Sequence, residues 1–204
     1  MISLPVEEAN RRFSIIAFDA VDIFEMDKEN KVVIENLIKY FIGDPSCGYD
    51  LKKGICLRGN VGSGKTLIMK ILRKCNFPEN AFFMKDCREM SELFLNENYK
   101  GINPFGKGSV TVERVKHICF DDLGAENDIN YYGNKVNVML DIVTDRHKHF
   151  IAHSQKTHFT TNLSKTEMEK KYGLRFLSRM HEMANFVTLG GSKDSKDRRI
   201  KPKK

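Results

Sequence analysis

Two spacings of apolar residues alternate along this chain and predict helices and strands in turn. Apolar positions at helical spacing fill residues 27–41, which end at a Gly-Asp-Pro turn signal. Short apolar runs typical of buried strands occupy residues 53–59, 81–85, 115–120, 156–161 and 186–189. Helical spacing returns after these runs, at residues 67–72, 90–94, 134–149, 165–172 and 176–183.

This alternation predicts an α/β fold, a parallel five-stranded sheet with helices on both faces. Residues 99–114 interrupt the alternation with three glycines and a proline, so we expect an irregular insertion or a helix-loop excursion at the sheet edge. We expect Phe82, Phe83 and the apolar helix faces in the core. The face of the first predicted helix comprises Val32, Val33, Leu37, Ile38 and Phe41.

Composition limits the class of protein. The 204 residues are 41% hydrophobic and 30% charged, which suits one globular domain and excludes collagen and disorder. No apolar stretch approaches the roughly 20 residues of a membrane span, and the N-terminus lacks signal-peptide order, so we expect a soluble, cytoplasmic protein and no membrane partner. The five cysteines include no Cys-x-x-Cys pair, which favours buried free thiols over disulfides or zinc.

The net charge of +7 is concentrated partly in residues 192–204. A basic tail of this kind contacts phosphates in some proteins and is a solvated terminus in others, and both interpretations stay open.

A phosphate-binding loop is the strongest chemical signal. The segment GNVGSGKT, between a predicted strand and a predicted helix, satisfies G-x-x-x-x-G-K-[ST] in its required context. Glycines let the backbone aim its N–H groups at phosphate oxygens, Lys65 would reach the β and γ phosphates, and the Thr66 hydroxyl would bind Mg²⁺. The predicted nucleotide-binding residues are Gly59, Asn60, Val61, Gly62, Ser63, Gly64, Lys65, Thr66 and Leu67.

An acidic pair follows the third predicted strand. Asp121 and Asp122 end the apolar run HICF, where carboxylates are costly unless a cation or donors compensate them. We assign Asp121 to Mg²⁺ and Asp122 to orienting or polarising the attacking water. Many proteins of this architecture have Glu in the second place, so the shorter Asp122 suggests slow turnover.

Three further residues are candidates for the same chemistry. Asn162 ends the fourth predicted strand, where it would sense the γ phosphate or simply form a turn. Arg175 and Arg179 share one helix face and would stabilise charge on a transferring phosphoryl group. By themselves, these two arginines fit solvation or ion pairing with Glu169 or Glu182 better than a role in catalysis. His147, His149 and His153 lack metal-ligand geometry.

The ordered motifs GNVGSGKT, HICFDDLGAE, THFTTN and YGLRFLSRM resemble the DnaC/IstB-like branch of AAA+ ATPases, over about residues 27–191. By this resemblance Lys65 and Thr66 correspond to Walker A, Asp121 and Asp122 to Walker B, and Asn162 to sensor 1. Arg179 corresponds to the arginine finger, with Arg175 as the alternative. The catalytic set is therefore Lys65, Asp122, Asn162, Arg179 and Arg175.

The resemblance implies an AAA+ core with sheet order 5-1-4-3-2, ATP and Mg²⁺ as cofactors, and head-to-tail self-assembly with ATP. It also implies single-stranded DNA binding and a replicative helicase or a transposase as partner. An inserted DNA-contacting element would fall in 99–114, with Lys100, Lys107 and Arg114.

The expected organisation is a helical lead-in over 1–45, the AAA+ core over 46–191 and the basic tail over 192–204. The short lead-in departs from helicase loaders with a large N-terminal domain. A full helical lid is missing from the pattern, which leaves Arg198 or Arg199 as the second sensor arginine.

Four functions fit these motifs. The first is an ATP-dependent replication accessory protein of helicase-loader type, and the second is an IstB-like transposition helper. A small-molecule kinase and a nucleotide-binding scaffold without hydrolysis are the others.

Overall fold

The computed structural model describes residues 4–20, 28–107 and 117–190. Seven α-helices, two short 3-10 helices and seven strands lie in these ranges. The helices are α1 (Val6–Ala20), α2 (Lys28–Phe41), α3 (Lys65–Cys75), α4 (Cys87–Ile102), α5 (Val138–His153), α6 (Lys165–Tyr172) and α7 (Leu174–Met183). The strands are β1 (Gly54–Arg58), β2 (Phe82–Asp86), β3 (His117–Leu123), β4 (Ile129–Tyr131), β5 (Asn134–Val136), β6 (Thr157–Thr161) and β7 (Ala184–Thr188).

Five strands form one parallel sheet in the order β2-β3-β6-β1-β7. Counting these five strands along the chain gives 5-1-4-3-2, so the predicted order is confirmed. Strand β1 lies between β6 and β7, with Cys56 opposite both Phe159 and Phe186. The carboxyl ends of β1, β3 and β6 therefore meet at one edge, where ligands of open parallel sheets bind.

The central strands β1, β3 and β6 are buried on both faces, which explains their uninterrupted apolar runs. Side chains alternate: Ile55 and Leu57 join the core under α1, α2 and α3, whereas Cys56 joins the core under α4 to α7. All five cysteines are buried free thiols, as predicted. Within the described ranges, no helix is long and apolar enough to cross a membrane.

The predicted helix over 134–149 is wrong at its start. Residues 134–136 form β5, which pairs antiparallel with β4 across the two-residue turn Tyr132–Gly133. Both turn residues have positive φ, the geometry of a tight hairpin. Helix α5 begins only after Asn137, whose side chain accepts a hydrogen bond from the Leu140 amide.

The third strand is also longer than predicted, because Asp121 and Asp122 lie within β3 rather than after it. Two core assignments fail: Phe83 is 55% exposed on the edge strand β2, and Val32 is 58% exposed on α2. Phe82 and Phe83 point to opposite faces, and at the sheet edge only Phe82 is buried.

The segment 99–114, predicted to be an irregular insertion or a helix-loop excursion, begins as helix. Helix α4 continues to Ile102 across a kink at Asn98, where φ is 54°, and turns follow to Lys107. Residues 108–114, with Arg114, lie outside the described ranges, as do the tail and the proposed second sensor residues Arg198 and Arg199.

Candidate active site

The loop between β1 and α3 passes close to the strand β7 side of the sheet. A Cβ atom on Gly59 would lie 2.4 Å from the Leu189 carbonyl oxygen, so the loop needs glycine here. The Leu189 amide donates to the Arg58 carbonyl at 2.7 Å and fixes this approach. Beyond the loop, α3 begins at Lys65, and its N-terminal amides give the site partial positive charge.

Lys65 is only 7% exposed, and its ammonium lies among oxygen acceptors. Its Nζ donates to the Gly59 and Asn60 carbonyls at 2.8 Å each and to Asn162 Oδ1 at 2.6 Å. A buried ammonium costs free energy unless such acceptors replace its water. The predicted phosphate lysine is therefore already desolvated and held at the sheet edge.

Asp121 lies within hydrogen-bonding distance of two hydroxyls. The Thr66 hydroxyl donates to Asp121 Oδ1 at 2.9 Å, and the Thr160 hydroxyl donates to the same oxygen at 2.5 Å. Thr66 on α3 and Asp121 on β3, the two residues assigned to Mg²⁺, thus lie in contact. A hydroxyl and a carboxylate are the hard oxygen donors that Mg²⁺ prefers, so the residues fit this ion.

Asp122 adopts a left-handed backbone conformation, with φ of 58°. The pairing of β3 with β6 shifts register between Phe120 and Leu123, so the two carboxylates occupy an irregularity in the ladder. The Asp122 amide donates to Thr160 Oγ1 at 2.9 Å, and Asn162 Nδ2 donates to Asp122 Oδ1 at 3.1 Å. Asn162 therefore joins Lys65 to Asp122.

The strand before the carboxylates keeps a neutral thiol beside them. Burial, and next the neighbouring charge of Asp121, raise the pKa of Cys119 well above its ordinary value. Cys119 thus adds no charge to the site.

The two arginines lie on α7, away from this cluster. Arg179 donates from a terminal guanidinium nitrogen to Thr144 Oγ1 on α5 at 2.8 Å, and Arg175 is exposed. Glu182, one of the expected ion-pair partners, instead pairs with His147 at 2.8 Å. Lys100 and Lys107 are exposed at and beyond the end of α4.

Sequence reasoning missed two contributors. Thr160 contacts both aspartates. The sequence signal that could have identified it was the Thr160-Thr161 pair just before Asn162. Glu126, in the quoted motif DDLGAE, is 2% exposed and hydrogen-bonds the Gly124 amide at 2.9 Å. The sequence signal that could have identified Glu126 was a carboxylate residue directly after the turn at the end of a strand.

The parallel sheet of order 5-1-4-3-2, with the lysine loop after β1 and paired aspartates on β3, defines an AAA+ P-loop fold. Solved structures share it. The DnaC helicase loader matches with a TM-score of 0.55 and 15% identity, over 84% of this chain and 96% of that one. A proposed primosome component from Streptococcus pyogenes serotype M3 matches with a TM-score of 0.60 and 17% identity, over 94% and 92%.

AMPPCP-bound DnaA from Aquifex aeolicus matches with a TM-score of 0.55 and 16% identity, over 86% of this chain and 50% of that one. No protein-family model and no curated protein sequence matches this chain. At these identities the structural likeness establishes the fold.

Proposed function

We propose that this protein is an Mg²⁺-dependent ATPase that acts in DNA replication as a helicase loader of the DnaC type. The observation that carries the proposal is the linked set around Asn162, which donates to Asp122 and accepts from Lys65. A phosphate-binding cation, a carboxylate beside the reacting water and a polar side chain between them are the parts that hydrolysis of a γ phosphate requires.

The residues divide the chemistry between them. Lys65 balances negative charge on the phosphates, and Asp122 orients and polarises the attacking water. Asp121 and Thr66 would hold Mg²⁺, which would supply Lewis-acid stabilisation of charge on the phosphate oxygens. Asn162 keeps Lys65 and Asp122 in a fixed relation, so the water meets the phosphate in one orientation.

The loader role is supported by the likeness to the DnaC helicase loader along nearly that whole chain. A replicative helicase is thus the proposed partner, and single-stranded DNA the proposed ligand. The exposed Lys100 and Lys107 would contact its phosphates. A transposase is the alternative partner that the sequence resemblance implies.

Arg179 and Arg175 are proposed to act on the nucleotide of a neighbouring subunit. On their own chain Arg179 is engaged with Thr144, and Arg175 is exposed on α7. Head-to-tail assembly with ATP would place these arginines at the next active site. Sedimentation that shows only monomer with ATP, with and without DNA, would contradict this part of the proposal.

The decisive experiment measures ATP turnover with and without single-stranded DNA, in wild type and in Lys65→Ala. We expect turnover that DNA changes and that the substitution abolishes, since Lys65 is the buried cation of the loop. Lys107→Glu should weaken DNA binding, whereas the matched exposed lysine variant Lys52→Glu, before β1, should not. Bound ATP that is never hydrolysed would favour a scaffold instead.

A further inference from the structure

The turn that follows the two aspartates is tied to the helix pair that carries the arginines. Glu126 lies at the end of this turn, and its side chain is 1% exposed. One carboxylate oxygen accepts from the Gly124 amide at 2.9 Å, and the other accepts from the Tyr172 hydroxyl at the end of α6. A buried carboxylate keeps such partners because losing one leaves its charge uncompensated.

Lys171 strengthens the same connection. Its Nζ donates to the Gly124 and Glu126 carbonyls at 2.7 Å each and lies 3.4 Å from Glu126 Oε1. Burial, and next the nearby Glu126 charge, raise the pKa of Tyr172, so its hydroxyl stays protonated and remains a donor.

Each end of this connection leads to a proposed functional group. At one end, the Ala125 amide donates to the Asp122 carbonyl at 3.0 Å, so the turn includes Asp122 itself. At the other, the Tyr172 ring stacks on Phe176 of α7, with centroids 4.3 Å apart and planes 22° from parallel. Phe176 is fully buried, and α7 carries Arg175 and Arg179.

We propose that Glu126, through Tyr172 and Lys171, is a positioning residue that couples the Asp122 turn to the arginine-bearing helix α7. The proposal rests on the proposed ATPase function. When nucleotide binds, Lys65 has to exchange at least one acceptor for a phosphate oxygen. If that acceptor is Asn162, its hydrogen bond to Asp122 changes as well. The resulting movement of the Asp122 turn then passes through the Glu126 contacts to α7.

The test uses Tyr172→Phe in the full chain, which removes the hydroxyl on Glu126 and keeps the ring stacked on Phe176. Amide hydrogen exchange is measured with and without AMPPCP and Mg²⁺. In wild type we expect slowing of about threefold in both the 59–66 loop and α7. In Tyr172→Phe the loop should still be protected, whereas the protection of α7 should fall by at least half.

Kinetics give a second readout. For Tyr172→Phe we expect kcat to fall about tenfold while the AMPPCP dissociation constant stays within about twofold. Glu126→Gln should likewise lower kcat while it leaves the AMPPCP dissociation constant nearly unchanged. Tyr49→Phe is the matched control, because Tyr49 is a half-buried tyrosine before the opposite end of β1.

The outcomes separate this inference from the ATPase proposal. Wild type without ATP turnover defeats both. If wild type hydrolyses ATP but Tyr172→Phe has the same kcat and the same α7 protection as wild type, only the coupling is contradicted. The coupling also fails if kcat, nucleotide affinity and melting temperature of both variants decline together, because that pattern is general loosening of the fold.

Discussion

At the residue scale, the site places one buried cation beside two carboxylates. Lys65 is 7% exposed and Asp121 is 8% exposed, and Asn162 connects the cation to Asp122. Each of these polar groups has a partner that replaces water. The cluster is therefore held by its own contacts, which in the proposed ATPase would lower the reorganisation needed during the reaction.

Asp122→Asn should separate chemistry from folding at this position. Asparagine tolerates positive φ as aspartate does and keeps an oxygen for the Asn162 amide, but it cannot act as a base. We expect kcat to fall by about two orders of magnitude with little change in AMPPCP affinity, measured by steady-state turnover and calorimetry. Turnover within about threefold of wild type would contradict the assigned role.

Asp122→Glu is the companion variant. It restores the longer carboxylate common in this architecture and should preserve turnover, although the left-handed backbone disfavours Glu. Abolished turnover in a folded Asp122→Glu protein would count against Asp122 as the group that polarises water.

At the element scale, the turn after β3 is packed against the segment after β6. Gly124 has φ of 107°, and a Cβ atom there would lie 2.6 Å from Leu163 Cδ1. Leu163 directly follows Asn162, so this close approach brings the turn after β3 against the end of β6. The turn needs glycine both for its backbone conformation and for this approach.

Gly124→Ala should therefore destabilise the protein more than Gly133→Ala does. Both glycines have positive φ, but a Cβ on Gly133, in the β4–β5 turn, meets nothing within 4 Å. Backbone strain largely cancels between the variants, and overpacking against Leu163 should add about 1 kcal/mol to the unfolding free energy lost by Gly124→Ala. Chemical denaturation measures the difference. Equal losses would show that Leu163 moves away without cost.

The β4–β5 hairpin explains why the sequence pattern predicts the start of α5 too early. Residues 134–149 fit helical spacing because the last twelve of them do lie in α5. The hairpin before the helix depends on Tyr132 with φ of 47°, which a local apolar pattern does not reveal. In contrast, the strand, loop and helix around GNVGSGKT were predicted correctly, because the glycines, lysine and threonine of this segment lie within eight consecutive positions.

At the scale of the whole molecule, two histidines lie at the end of the sheet opposite the site. His117 Nδ1 accepts from the Lys156 amide at 3.1 Å, and His158 Nδ1 accepts from the Ile55 amide at 3.0 Å. Burial, followed by Lys156 and Arg146, lowers the pKa of His117 from 6.5 to about 4. The pKa of the fully buried His158 also lies well below its ordinary value, first because of burial and next because of the neighbouring His117.

These shifts make folding stability depend on pH. Above pH 6.5 the stabilisation is complete, because both histidines are neutral in the folded and unfolded chains. Below it the unfolded chain binds more protons, so stability falls toward pH 4, by at most about 1.4 kcal/mol per pH unit for each histidine.

Urea denaturation at several pH values tests this dependence. His117→Asn, which keeps an acceptor for the Lys156 amide but does not titrate, should make the decline shallower. His153→Gln at an exposed position should leave the decline as in wild type. A wild-type stability that is flat from pH 6.5 to 4 would contradict the neutral buried state.

The sequence by itself determined the strand-to-helix alternation, the glycine-rich loop after β1 and the position of the acidic pair on β3, because each is local in the chain and follows from backbone periodicity or short spacing. Only the tertiary structure decided that Asn162 lies between Lys65 and Asp122, 97 and 40 positions away. It also decided that Thr160 bridges both aspartates and that Glu126 meets Tyr172. These contacts depend on which strands are neighbours and on the register between them, and hydrophobic periodicity specifies the face of a residue but not its partner across the sheet.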